Sequence, residues 1–259
     1  MKLIRVIPSL LIKDNILVKG KQFKEHKYVG DVFNAVKIFS EKRAHEIQLL
    51  DISARKKNTM IDINLIQKIR SEIFVPLSVG GGINNIEQIS SLINEGVEKV
   101  VLNSCNYENT KLIEEAANKF GSQSIVVSID VKKNTEGEYL IYSNNALNKI
   151  DIDFKSFVKN CESMGAGEIL LTSVAYEGQQ KGIDTQLYLE VENLTNIPIV
   201  ASGGVGSIED ITNFFDTTNL NAITCGAHFV FYGKRNAVLI NYPSQDEIET
   251  LMQKYEKNN

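Results

Sequence analysis

At 259 residues, 43% of them hydrophobic, the chain is long enough for one large domain or two small ones and for a sizeable core. A net charge of -4, with both signs spread throughout, leaves no basic footprint for nucleic acid and no polybasic patch for a membrane. Cys105, Cys161 and Cys225 are odd in number and never in a CxxC pair, and His26, His45 and His228 are scattered, so a disulfide framework and a metal are both disfavoured and the thiols point to a reducing cytoplasm.

Along the chain, short β-branched runs alternate with stretches of helical period, the pattern of a parallel sheet with crossover helices. Strands are predicted over 4–10, 46–51, 75–79, 99–102, 124–130, 168–172, 197–201 and 222–225. Helices are predicted over 31–42, 62–72, 87–94, 109–119, 154–164, 185–192, 209–215 and 245–255, the last with Ile248, Leu251, Met252 and Tyr255 on one face. Eight strand–helix units in a single domain over 1–259 match the size of a closed (β/α)8 TIM barrel. The opening residues 1–7 are too short and too charged for a signal peptide, and no apolar run reaches the length of a membrane span. Two strand-to-helix connections are long: 12–30, with Lys13, Asp14, Lys19 and Lys21, reads as a functional loop, and 132–145 reads as a hairpin. In a barrel both open on the face where chemistry occurs.

Two stretches share a signature. Ile-Pro-Ile-Val-Ala-Ser-Gly-Gly-Val-Gly at 197–206 and Phe-Val-Pro-Leu-Ser-Val-Gly-Gly-Gly-Ile at 74–83 each end a strand on glycines just before a helix. Such turns are expected to leave backbone N–H groups bare for an anion, with Ser207 capping the helix that follows the second. Pairing Gly80, Gly81 and Gly82 with Gly203 and Gly204, and Asn103 and Ser104 with Cys225 and Gly226, divides the barrel into half-barrels of about 1–120 and 121–240. Two anion turns across the mouth suit a ligand with a phosphate at each end. Between them, Asp130 ends the fifth strand with a carboxylate, while the equivalent position on the first strand is Leu11. Acid and base steps on opposite sides of a substrate call for two proton-transfer groups, and this pair supplies one.

The stretches Leu-Val-Lys-Gly at 17–20, Leu-Asp-Ile-Ser at 50–53, Val-Gly-Gly-Gly-Ile at 79–83, Phe-Gly-Ser-Gln at 120–123, Ser-Ile-Asp at 128–130, Gly-Ala-Gly-Glu-Ile-Leu-Leu-Thr-Ser at 165–173 and Ala-Ser-Gly-Gly at 201–204 carry a resemblance to HisF, the cyclase subunit of imidazole glycerol phosphate synthase. It spans nearly the whole chain. The resemblance implies a (β/α)8 barrel that binds a bis-phosphorylated ribonucleotide at the top and receives ammonia, through the barrel, from a glutaminase docked at the bottom. It implies no cofactor. Asp130 then matches one of the family's two catalytic aspartates and Leu11 stands at the other. Lys19 matches the substrate-loop lysine, and Asn103 and Thr172 match pocket residues. Glu177 stands where the family pattern has Asp, and Gly226 where it has a phosphate-binding Ser. Arg5, Glu46, Lys99 and Glu168 match the charged gate to the ammonia passage, although the residues alone allow a structural salt-bridge ring. Glu98 and Gln123 match the glutaminase-facing surface. The tail over 231–240 departs from the family pattern.

A lost acid above a retained gate is similar to the HisF-like paralogues of saccharide loci, which pair with a HisH-like glutaminase and supply ammonia to an N-acetyl sugar amidotransferase. The expectation is therefore an ammonia-conducting subunit of a glutamine-dependent synthase or lyase complex with little cyclase activity of its own. An authentic cyclase of histidine biosynthesis and a non-catalytic phosphometabolite-binding module remain as alternatives.

Overall fold

A computed structural model describes residues 4–233 and 235–256; the first three residues of the 1–7 segment and Lys234 of the tail lie outside it. Eight parallel strands form its centre: β1 (Arg5–Lys13), β2 (Ile47–Asp51), β3 (Leu77–Gly80), β4 (Lys99–Leu102), β5 (Ile125–Lys133), β6 (Glu168–Ser173), β7 (Ile199–Ser202) and β8 (Ala222–Cys225). Each pairs with the next, and β8 pairs back onto β1 with Arg5 opposite Ala222, so the sheet closes into a barrel. The sequence expectation for fold class is met.

Around the barrel run α1 (Val32–Glu41), α2 (Ile63–Arg70), α3 (Ile86–Asn94), α4 (Lys111–Phe120), α5 (Phe154–Ser163), α6 (Thr185–Val191), α7 (Ile208–Thr217) and α8 (Gln245–Glu256). Local chemistry starts five of them: the side chains of Asp31, Asp62, Asn85, Asp153 and Ser207 accept the first free backbone N–H groups. Each such cap contributes about 1 kcal/mol. Ile248, Leu251 and Tyr255 of α8 are buried on the face its period predicts. Short helices Cys105–Glu108 and Ala227–Val230 follow β4 and β8 and have no periodic signal in the sequence. The three cysteines are free and buried, and burial pushes the Cys105 and Cys161 thiols up to about 12.

The 12–30 connection is not an open loop. β1 continues to Lys13, turns through Asp14 and Asn15, and leads into an antiparallel pair, Ile16–Lys21 and Lys24–Gly30. Both hairpin turns have two residues at positive φ, Asp14 and Asn15 (55° and 62°) and Gln22 and Phe23 (51° and 63°), the type I′ geometry that matches strand twist. The 132–145 expectation holds, with Tyr139–Ser143 pairing antiparallel to the end of β5. The tail forms a small pair, Phe231–Tyr232 with Ala237–Val238, before Tyr242 drops into the core.

Alternation along the strands sorts side chains into two layers. Val6, Leu10 and Ile12 of β1 join the large core between barrel and helices. Ile7 instead joins Val101, Val126, Leu170, Val200 and Ala222 in a separate apolar cluster inside the barrel, with Leu50 packed against it. On the same inward parity, Arg5 lies at the amino-terminal end of β1 and Leu11 near its carboxy-terminal end. Along β1 the barrel interior thus runs from a charged residue at the base through the apolar cluster to the mouth.

Candidate functional site

The mouth encloses a cavity of about 160 Å³ to which all eight strands contribute. Leu11 on the first strand and Asp130 on the fifth face it from opposite sides of an eight-stranded barrel. Asp130 is buried. Asn103 Nδ2 donates to its Oδ2 at 3.0 Å, and Thr172, its neighbour in the β5–β6 register, also bonds it. Burial outweighs both bonds, and the carboxylate of Glu177 acts in the same direction as burial, so the Asp130 pKa rises to about 7. A carboxyl poised near neutrality can hold or release a proton at physiological pH.

That shift fixes a pH dependence. A carboxylate raised from about 3.9 in the unfolded chain to about 7 in the fold binds more protons when native, so its contribution to stability falls as pH rises between those values and is constant above them. Asp130→Asn is therefore expected to be more stable than the parent by up to about 4 kcal/mol at pH 8, with the gain vanishing near pH 4. Thermal melts across that range check it; a gain independent of pH would contradict the burial argument.

The hairpin after β1 folds over the mouth. It brings Lys19 into an ion pair with Glu177, both side chains 7% exposed. Glu177 Oε2 also accepts the Phe23 N–H at 3.4 Å, and its backbone oxygen accepts the Gln22 N–H at 2.9 Å. Phe23 and His26 line the cavity from the hairpin, Asp51 lines it from the end of β2, and Arg55 from the loop that follows. These four were not singled out from the sequence. The positive-φ turn at Gln22 and Phe23, which leads into the strand carrying His26, contains no glycine, and Asp51 is recognisable only once its Oδ1 is seen to organise the next loop, accepting from the Ser53 and Ala54 N–H groups at 2.8 and 3.1 Å.

The two glycine turns have closely similar geometry. Asn85 and Ser207, the helix caps that follow them, sit at φ/ψ of -149°/167° and -154°/165°. In each turn a side chain at the third helical position reaches back to the turn backbone: Gln88 accepts from Asn84 N–H at 2.8 Å, and Asp210 accepts from Gly206 and Ser207 N–H at 2.8 and 3.0 Å. This corrects the expectation of bare N–H groups at the end of the second turn, because Asp210 already holds two of them. Gly203 and Gly204, earlier in the turn, line the cavity. Glycine is needed there: both have positive φ, and a Cβ on Gly204 would lie 2.0 Å from Gly182 O. Gly81, Gly82, Asn103, Ser104, Thr172, Glu177 and Gly226 all line the cavity. Cys225 does not. It follows inward-facing Thr224, so strand parity turns its thiol into the outer core, and only its backbone lies near the mouth.

At the opposite end, Arg5, Glu46, Lys99 and Glu168 form a closed ring of alternating charge. Arg5 pairs with Glu46 at 3.1 Å and with Glu168, and Lys99 pairs with the same two carboxylates at 2.8 and 3.1 Å. Beside it, the Glu98 side chain pairs with Arg70 at 3.3 Å and accepts the Leu77 N–H at 2.7 Å. Gln123, just before β5, is exposed. Phe74, before β3 on this same end, is 96% exposed, an aromatic ring the sequence reading passed over. Among the described residues no cluster of His, Cys, Asp and Glu could hold a metal, and no helix is long and apolar enough to cross a membrane.

Comparison with known proteins places the chain in a family. A profile of the family described as histidine biosynthesis protein matches residues 5–235. The chain is 41% identical over 245 residues to a Pseudomonas aeruginosa protein named as subunit hisF2 of imidazole glycerol phosphate synthase, covering 95% of this chain and 98% of that one. It is 44% identical over 244 residues to a Vibrio vulnificus protein named as subunit hisF3, covering 94% of each. Identity to a Natranaerobius thermophilus subunit named HisF is 36% over 245 residues, covering 95% and 97%.

Proposed function

The chain belongs to the histidine biosynthesis protein family and, within it, to the HisF proteins; from that membership we propose that it is the barrel subunit of a glutamine-dependent amidotransferase complex, conducting ammonia rather than cyclising a nucleotide. The observation that carries this reading is the contrast between the two ends of one barrel. At the mouth, Asp130 faces Leu11, a side chain that transfers no proton, while at the base all four gate charges are present and paired. Selection for cyclisation would act on the mouth. Selection for controlled entry from below would act on the base.

In this proposal a HisH-like glutaminase docks on the base, against Phe74, Glu98 and Gln123, with the exposed Phe74 ring as an apolar anchor of the kind that dominates interfaces. Ammonia released there passes the ring of Arg5, Glu46, Lys99 and Glu168 and travels along the barrel interior. The phosphate turns at Gly81–Gly82 and Gly203–Gly204 retain a phosphorylated ligand, with Asp130 and Asn103 beside it. The delivered ammonia serves an acceptor outside this chain, an N-acetyl sugar amidotransferase of surface-polysaccharide synthesis.

The test is to co-express the chain with a HisH-like glutaminase and follow glutamine hydrolysis and nucleotide cyclisation together. Hydrolysis is expected to depend on the chain and to proceed with at most slow cyclisation. Cyclisation matching hydrolysis one for one would instead favour an authentic cyclase, and hydrolysis indifferent to the chain would remove both readings.

A further inference from the structure

We propose that a second copy of this chain docks on the tail hairpin, its own Ala237–Val238 strand pairing antiparallel with this one, to give a two-fold dimer. The hairpin extends beyond its two-residue ladder. Phe231 pairs with Val238 and Tyr232 with Ala237, and past them Leu239 N–H donates to Val230 O at 3.1 Å and Asn241 N–H to Phe229 O at 2.9 Å. One arm therefore runs over 229–232 and the other over 237–241, with a tip where Gly233 and Asn236 take positive φ, 69° and 50°. Phe231 and Ile240 pack against the outer core and anchor the hairpin to the barrel. The proposal is independent of what happens at the mouth.

Among the described residues no strand pairs with the outer edge of the 237–241 arm. Register fixes which backbone groups that edge leaves over: Leu239 N–H points at Val230, so the N–H and C=O of Val238 point the other way, toward the open side. Exposed edges are ordinarily blunted by charge, proline or a bulge. This one reads Ala-Val-Leu-Ile at 237–240 with no charge, and Tyr232, Val238 and Leu239 are 70%, 49% and 51% exposed. Beside the hairpin lies a cavity of about 520 Å³, bounded by Tyr232 and Leu239, by Ile208 at the start of α7, and by Pro243 and Glu247 around the start of α8. Apolar side chains of a docked hairpin would fill it.

Symmetry and charge select a second copy as the occupant. Two identical strands pair antiparallel about a two-fold axis, so each copy satisfies the other's edge with the same residues and the assembly closes. Exposed Arg235 stands at the tip of the hairpin, whereas exposed Asp246 and Glu247 open α8 at its base, a few residues after Asn241. Antiparallel pairing lays the tip of one hairpin along the base of the other and brings opposite charges together twice. The surface also lies apart from the base proposed for the glutaminase. The hairpin follows β8, which neighbours β7 and β1, while Phe74, Glu98 and Gln123 precede β3, β4 and β5.

Sedimentation equilibrium of the full chain tests this. Loaded at about 100 µM, well above a micromolar dissociation constant, the chain is expected to show about twice its 28.9 kDa monomer mass. Leu239→Glu sets a carboxylate from each copy into the shared seam and is expected to weaken dimerisation about 100-fold or more. Val238→Pro removes the open-edge N–H and no hydrogen bond of the hairpin itself, and should weaken it about 10-fold. Arg235→Glu should also weaken it about 10-fold, because a two-fold interface loses the charge pair twice, and adding Asp246→Arg to the same chain should restore the dimer. That rescue is readable even if Val238→Pro misfolds. A monomeric parent at this loading would overturn the proposal and leave the edge to a different protein. Persistence of the dimer in folded Leu239→Glu, or no recovery on adding Asp246→Arg, would overturn it as well.

Discussion

Leu11→Asp is expected to raise turnover of the bis-phosphorylated ribonucleotide with free ammonia by about 100-fold or more, the usual contribution of one positioned general acid or base. Leu11 lies on the inward parity of β1, lines the cavity and stands across the barrel from Asp130, so an aspartate there enters the mouth without disturbing the outer core. The gain should appear in kcat, since the substituted group acts on the reacting atoms while the phosphate turns that hold the substrate are untouched. Leu11→Asn keeps the shape without the proton and should stay near the parent rate. A parent protein already as fast as the aspartate variant would sink the proposal that this mouth has given up cyclisation.

Lys99→Met is expected to destabilise the fold by about 2–3 kcal/mol, somewhat below the 3–5 kcal/mol typical of breaking a fully buried pair because the lysine is partly exposed. Two carboxylates, Glu46 and Glu168, would then share the single guanidinium of Arg5 in a site from which both are largely shielded. For a chain of this size that corresponds to a melting temperature lower by roughly 5–10 °C. A variant within about 0.5 kcal/mol of the parent would mean the ring is a solvated surface network.

Much of this was legible in the sequence because a barrel repeats one rule eight times. The 99–102 and 222–225 strands match the observed β4 and β8 end to end, since β-branched runs between turns have little freedom in a parallel sheet. The ring of Arg5, Glu46, Lys99 and Glu168 was also legible, each residue lying at the start of a strand. What escaped lies in the connections. The Lys24–Gly30 strand is mostly exposed and charged, so no apolar alternation marks it, and the whole 12–30 segment reads as a loop. Its residues Phe23 and His26 were missed with it. The meeting of Lys19 and Glu177 is a tertiary event between segments 158 residues apart that no local pattern encodes. Asp210 was overlooked as the partner of the Gly206 and Ser207 N–H groups because glycine spacing reports what the backbone offers and not what has already been taken.

The apolar cluster of Ile7, Val101, Val126, Leu170, Val200 and Ala222 lies between the charged ring and the mouth. Its side chains offer no hydrogen bond, and an ion entering it would lose hydration worth many kcal/mol without replacement. Such a zone sorts by protonation state. Ammonia can enter it and ammonium cannot. On the proposed route, the barrel therefore delivers its nitrogen already in the nucleophilic form, before any residue at the mouth has acted.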